Sequence, residues 1–216
     1  MKTTAYAYDF KKYNFPAIIA DLMEVPSLEN LSYQENEMAS EEFSLYKNME
    51  QTPAYKTLYE KLNNEEGRKF FDVYERFIKE VIQPKFEEQI YFQQKPTHRI
   101  LYKDAPGVSR FHRDRQYGHN PDEINFFLPL TPAFDTNTLW IESEEGKEDF
   151  EPLILKPGEF VRFDGANLMH GAKVNETGKT RVSFDFRVIP ASKFEKSTQK
   201  ADRELDQNAH FFAACE

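Results

Sequence analysis

Arg181-Val182-Ser183-Phe184-Asp185-Phe186-Arg187-Val188-Ile189 alternates with a period of two. Val182, Phe184 and Phe186 fall on one side, and Ser183, Asp185 and Arg187 on the other. Side chains alternate across a strand, so this spacing predicts a strand with one apolar face. Reading outward, the preceding text is punctuated in the same way. Asn175-Glu176-Thr177-Gly178 and Asp164-Gly165 read as turns, as does Pro157-Gly158. Between and before them lie candidate strands at Met169 to Val174, Phe160 to Phe163 and Leu153 to Leu155. Further candidates are Thr138 to Glu142, Glu123 to Leu130 and Arg99 to Lys103. Many short strands after a helical run predict a β-sandwich or barrel with helices packed outside.

The chain changes character near residue 96. Upstream, Pro53 suits the first turn of a helix after Thr52, and Tyr55, Leu58, Tyr59 and Leu62 recur at helical spacing. A second helix is expected over Glu65 to Ile82. Its Phe70, Tyr74, Phe77, Ile78 and Val81 form one apolar stripe that faces a sheet, and Pro84 ends it. The organisation expected is one domain over 1–216, with a mainly helical layer at 1–95, a strand-rich core at 96–190 and a tail at 191–216. The tail is charged and then apolar at Phe211-Phe212, which reads as a C-terminal helix or an arm.

Composition limits the function classes. The 216 residues hold 28 basic and 37 acidic side chains, a net charge of −9. A field of that sign repels phosphate backbones and anionic lipid, so neither nucleic acid nor membrane is expected as a partner. One cysteine, Cys215, allows no intramolecular disulfide and fits a reducing compartment. No apolar run of spanning length and no basic-then-apolar leader is present in the sequence, so a soluble, cytoplasmic protein is expected. Twenty Phe and eleven Tyr supply a large apolar core. The acid-rich stretch Glu142 to Glu151 reads as a solvated loop, or as a lid for a cationic substrate.

Chemistry concentrates at Phe111-His112-Arg113-Asp114. On extended backbone, residues at i and i+2 point the same way, so His112 and Asp114 can converge. His170, 58 residues on, offers a third ligand. Two imidazoles and one carboxylate on one face of a metal leave the opposite face open, the arrangement of non-haem Fe(II) oxygenases. The basic cluster Arg110, Arg113 and Arg115 brackets this motif; by the same alternation Arg113 and Arg115 point away from the ligands, towards solvent or ion pairs. Arg181 follows His170 by 11 residues and Ser183 shares its side of the strand. An inward guanidinium with a hydroxyl beside it is a fork for a carboxylate. The same arginine could instead form a structural ion pair with one of the many acids.

Together, H-x-D, the histidine of Asn167-Leu168-Met169-His170-Gly171 and Arg181-Val182-Ser183 resemble the Fe(II)/2-oxoglutarate-dependent dioxygenase superfamily. From His112 to Pro190 the chain is similar to its StrG-type members, distantly related to phytanoyl-CoA hydroxylases. The similarity is carried also by Tyr117-Gly118-His119, by the runs 123–131 and 136–143, by Phe163-Asp164-Gly165 and by the run 180–187. The fold implied is a double-stranded β-helix, or jelly roll, α+β with a mainly β core and N-terminal helices packed on one sheet. The resemblance implies Fe(II) on His112, Asp114 and His170, with 2-oxoglutarate and O2 as cosubstrates and the far carboxylate of 2-oxoglutarate on Arg181, assisted by Ser183. The activity implied is hydroxylation of an unactivated carbon of a small metabolite such as an amino acid, amino sugar or biosynthetic intermediate, with succinate and CO2 released. Asp114 is present where related halogenases carry a small residue, which disfavours halogenation.

Other residues stand further from the motif. Asn125, mid-strand, could bond the cosubstrate or serve structure, and Tyr102 could also reach the cosubstrate. Trp140 reads as core packing, with a substrate wall as the other reading. His119 could shape the pocket mouth, whereas His98 and His210 carry no assigned role. A cupin-like Zn or Mn metalloenzyme (isomerase or hydrolase), or a ligand-binding jelly roll, is the competing class. Arg181 with Ser183 separates the two, since a hydrolase needs no carboxylate fork there.

Overall fold

The computed structural model describes residues 2–32, 52–105, 110–194 and 212–215. Strands are numbered here in chain order. They are β1 (Thr4–Ala7), β2 (Ile90–Gln93), β3 (Thr97–Leu101), β4 (Ile124–Pro129), β5 (Leu139–Ile141), β6 (Glu151–Pro152), β7 (Glu159–Phe163), β8 (His170–Ala172), β9 (Arg181–Pro190) and β10 (Phe212–Ala214). Among the described residues they form a seven-stranded and a three-stranded sheet, with every pairing antiparallel.

The alternating strand predicted at 181–189 is the spine of the larger sheet. In β9, one edge pairs with β4, with Phe126 opposite Phe186. Its other edge is shared end to end by β2 and β3, with Ile90 opposite Pro190 and Leu101 opposite Arg181. Beyond β4 lie β7 and then β1, and beyond β2 lies β10. One face of β9 presents Val182, Phe184, Phe186 and Val188, all fully buried against the helices.

Among the described residues, three α-helices cover that face: α1 (Phe15–Met23), α2 (Pro53–Leu62) and α3 (Arg68–Phe77). Asn14 caps α1 by accepting from the Ala17 amide, and Pro53 opens α2 as expected. The helix expected over Glu65 to Ile82 is a composite. A 3-10 turn at Glu65–Gly67 leads into α3, and a π turn at Ile78–Ile82 follows before Pro84. Of its stripe, Phe70, Tyr74, Phe77 and Ile78 are 0% exposed, and Val81 is half-buried against the same core. Phe15, Phe70, Tyr74 and Phe77 meet Phe160, Phe184 and Phe186 in edge-on ring contacts, where much of the phenylalanine content is used.

The opposite face of β9 carries Arg181, Ser183, Asp185 and Arg187. Over it lies the three-stranded sheet, ordered β6-β5-β8. A second, smaller apolar cluster joins the layers through Phe127, Val161 and Phe163 of one sheet and Ile141 of the other. The described residues thus form a double-stranded β-helix whose α-helices pack on the outer face of the large sheet.

Besides their helices, the first 95 residues contribute β1 and β2 to the large sheet. Two expectations need correction. Leu153 to Leu155 is not a strand: β6 ends at Pro152, and Leu155 makes only a bridge to Ala133. The apolar end of the tail is neither a helix nor a loose arm. It is the edge strand β10, paired with β2 so that Ala213 lies opposite Phe92. The charged part of the tail, 195–211, falls outside the described residues, and His210 with it. No helix among the described residues is long and apolar enough to cross a membrane.

Candidate metal and cosubstrate site

His112 and His170 are brought together by a single β-bridge. Each backbone amide donates to the other's carbonyl at 2.9 Å, and the two rings lie 4.6 Å apart. The H-x-D segment is not the strand expected. Arg113 is extended at φ −110°, ψ 135°, and Asp114 already begins a 3-10 turn, Asp114–Tyr117. One extended residue suffices to place His112 and Asp114 on the same side. Glycines let these segments approach. A side chain at Gly171 would meet the Phe111 backbone at 2.9 Å, and one at Gly165 would meet the Asn125 side chain at 2.6 Å.

Potential ligand atoms of His112, Asp114 and His170 all lie within 4.8 Å of one another. Asp114 Oδ1 is 3.3 Å from His112 Nε2 and 3.5 Å from His170 Nε2. Both imidazoles bond backbone carbonyls through Nδ1, Arg110 at 2.7 Å and Leu168 at 3.0 Å. A carbonyl can only accept, so Nδ1 carries the hydrogen and the Nε2 lone pair turns inward, as a metal ligand requires.

Asp114 is divided in function between its two oxygens. While Oδ1 faces the imidazoles, Oδ2 accepts from Asn125 Nδ2 at 2.7 Å and from Arg187 Nε and NH2, both at 3.0 Å. Burial alone would raise this carboxyl, but Arg187 and the two histidines outweigh it and hold Asp114 well below the usual carboxylate range. Arg187 extends the network outward to Glu123 at 3.7 Å, which in turn meets His119 at 3.0 Å. His119 therefore sits behind the site, bonded to Glu123.

Glu142 ties the ligand-bearing segments together. It is fully buried and accepts from Arg113 at 3.0 Å and from the amides of Met169, Gly146 and Glu148. The solvated-loop reading of 142–151 is thus wrong for its first residue, although Glu144, Glu145 and Glu148 are exposed. Arg113 and Arg115 are ion-paired, as the alternation predicts, with Glu142 and Glu145.

A cavity of about 500 Å³, counted with its mouth, runs from the triad between the sheets. His112, Asp114, Asn125 and His170 line one end, and Arg99, Arg181, Asp185 and Leu139 are also in its wall. Arg181 is 2% exposed. Its Nε donates to the Asn137 carbonyl at 2.9 Å, and NH1 to Ser183 Oγ at 2.7 Å. The structural ion pair weighed above does not form: no carboxylate lies within 4.0 Å of Arg181 among the described residues. Burial, with Arg99 adding its charge, pushes the guanidinium down to about 9 despite some help from Asp185. The other two arginines of the wall have acids, Arg187 with Asp114 and Arg99 with Asp185 at 3.0 Å.

Asn125 lies in the wall with its amide hydrogens directed to Asp114. Tyr102 is not brought there. It is buried in the large core, its hydroxyl 3.2 Å from that of Thr52. Trp140 is neither buried core nor cavity wall. It is half-buried, donates to the Asp135 carbonyl at 3.0 Å and carries the Lys173 ammonium over its ring. Arg187, Arg99 and Glu142 were not singled out from sequence as site residues. The first is legible in retrospect, being on the same side of the alternation as Arg181 and Ser183.

No protein-family model matches the chain. It is 32% identical over 200 residues to the streptomycin biosynthesis protein StrG of Streptomyces griseus, covering 93% of this chain and 91% of that one. Among solved structures, EctD from S. alaskensis with 2-oxoglutarate and 5-hydroxyectoine superposes with a TM-score of 0.57 at 13% identity, over 89% of this chain and 73% of EctD. CytC3 with Fe(II) and alpha-ketoglutarate (2-oxoglutarate) gives 0.51 at 15% identity, over 99% and 84%. The chain belongs to the StrG family, on the double-stranded β-helix fold of the Fe(II)/2-oxoglutarate-dependent dioxygenase superfamily.

Proposed function

We propose that this protein is an Fe(II)/2-oxoglutarate-dependent oxygenase that hydroxylates an unactivated carbon of a small metabolite, an amino acid, amino sugar or biosynthetic intermediate, releasing succinate and CO2. The observation that carries the reading is Arg181. A buried guanidinium with no carboxylate partner is costly unless an anion arrives. This one opens into the same cavity as a His-Asp-His cluster. A dicarboxylate that chelates metal through its 2-oxo acid end and reaches Arg181 with the other end fits both features. The competing zinc or manganese hydrolase explains the triad but leaves Arg181 without a purpose.

His112, Asp114 and His170, which all line the cavity, would hold the iron. The bound metal and cosubstrate supply the oxidising chemistry that attacks a C–H bond. Protein groups orient and shield. The Arg110 and Leu168 carbonyls fix the two imidazoles, and Arg187 with Asn125 fixes Asp114 as an ionised ligand. Arg181 and Ser183 take the far carboxylate. Phe127, Phe163, Leu139 and Ala172 form an apolar wall that limits water near the metal.

Incubation with Fe(II), 2-oxoglutarate and air tests the reading through succinate. Slow succinate formation is expected even without substrate, abolished in His170→Ala and reduced at least a hundredfold in Arg181→Met at fixed cosubstrate. Metal binding without 2-oxoglutarate binding at millimolar concentration would overturn it in favour of zinc or manganese chemistry.

A further inference from the structure

Arg99 lies directly across the sheet from Ser183, whose hydroxyl accepts from Arg181. Opposed residues on an antiparallel pair point to the same face, with Cβ atoms about 5 Å apart. Both arginines line the cavity, and Arg99 is close enough to depress the Arg181 guanidinium. Asp185, the next inward residue after Ser183, accepts from Arg99 Nε at 3.0 Å and holds that side chain beside the Arg181 fork. The wall thus gathers two guanidinia and one carboxylate, a local charge of +1 that one further carboxylate would neutralise.

We propose that Arg99 is a second cosubstrate-binding arginine, held in place by Asp185, which contacts the far carboxylate of 2-oxoglutarate together with Arg181 and Ser183. This rests on the proposed function above. Two fixed guanidinia, one of them offset by Asp185, make the site selective for a five-carbon dicarboxylate over a 2-oxo acid with an apolar tail, because only the former brings the carboxylate that neutralises the remaining charge. Asp185 keeps Arg99 from repelling Arg181 when the cavity lacks the anion.

Calorimetry on Zn(II)-loaded protein in air tests this without turnover, using 2-oxoglutarate and 2-oxopentanoate, the same chain lacking the far carboxylate. Arg99→Met should weaken 2-oxoglutarate binding about tenfold and change 2-oxopentanoate binding less than twofold. Arg99→Lys should recover most of the loss and stands in should the methionine variant fail to fold. Equal losses for both acids, or no loss for 2-oxoglutarate, would overturn the role of Arg99. Arg181→Met distinguishes the two levels of the argument. If wild type binds 2-oxoglutarate no better than Arg181→Met does, the proposed function itself fails. If Arg181→Met loses binding and Arg99→Met does not, only this inference fails.

Discussion

At the residue scale, Arg181 sets function against stability. A buried guanidinium whose partners are a carbonyl and a hydroxyl retains a desolvation penalty that an apolar side chain of similar length would not incur. Arg181→Met should therefore be no less stable than wild type by urea unfolding without cosubstrate, while 2-oxoglutarate affinity falls at least a hundredfold. A stability loss of several kcal/mol would mean that Arg181 is structural. His98 gives a second test at this scale. It is packed between Tyr59, Phe70 and Phe184, and burial pushes its imidazole down to about 4. The unfolded chain, with an ordinary histidine near 6.5, binds the extra proton first as pH falls, so stability rises with pH across the interval from 4 to 6.5. His98 alone should remove roughly 2 kcal/mol of stability between pH 7 and pH 5. Urea midpoints of His98→Phe at the two pH values should show that acid loss reduced.

At the element scale, the site is a meeting of a bridge, a turn and a loop, fastened by groups that are not ligands. Glu142 accepts from the residue between the two ligands of H-x-D and from the residue before His170. Glu142→Ala should cost about 3 kcal/mol, because it leaves buried donors and the half-buried Arg113 without their acceptor. Chemical denaturation checks the value, and a change under 1 kcal/mol would mean that water replaces the carboxylate. Gly165 acts by close approach instead. Gly165→Ala should drive Asn125 off Asp114 and weaken Zn(II) affinity about 10- to 100-fold with the fold retained, readable by competition with a chromophoric chelator.

How far these elements were legible follows from their physics. Period-two alternation exposes β9, and hence Arg181 and Ser183, because opposite faces of that strand meet different surroundings. His112, Asp114 and His170 are legible as residue types at a spacing, even though the strand expected for H-x-D is one bridge followed by a turn. Glu142 is not legible, since nothing in a run of acids marks the one that folds inward. β1 and β10 are short edge strands of four and three residues, which supply too few positions for a period. Helix α1 is different, because Asn14 and Pro16 carry an ordinary start signal.

At the scale of the whole molecule, two layers divide the work. Aromatic packing between helices and the outer face of the large sheet supplies a rigid wall. The inner face of that wall then tolerates a row of charged groups, Arg181, Asp185 and Arg187, that would destabilise a smaller core. An acidic chain of net charge −9 thus presents a cavity lined by three arginines and two aspartates, suited to concentrate a dianionic cosubstrate that the overall field repels. The claim that joins both layers is that the triad and Arg181 serve one metal and one 2-oxo acid together. It is decided by adding Fe(II) and then 2-oxoglutarate to the apo-protein without oxygen and following the weak visible charge-transfer band of an iron-chelated 2-oxo acid. The expected result is a band that is absent in His170→Ala and that needs far higher 2-oxoglutarate concentrations in Arg181→Met. Iron binding with no band at millimolar 2-oxoglutarate, or a band indifferent to Arg181, would contradict it.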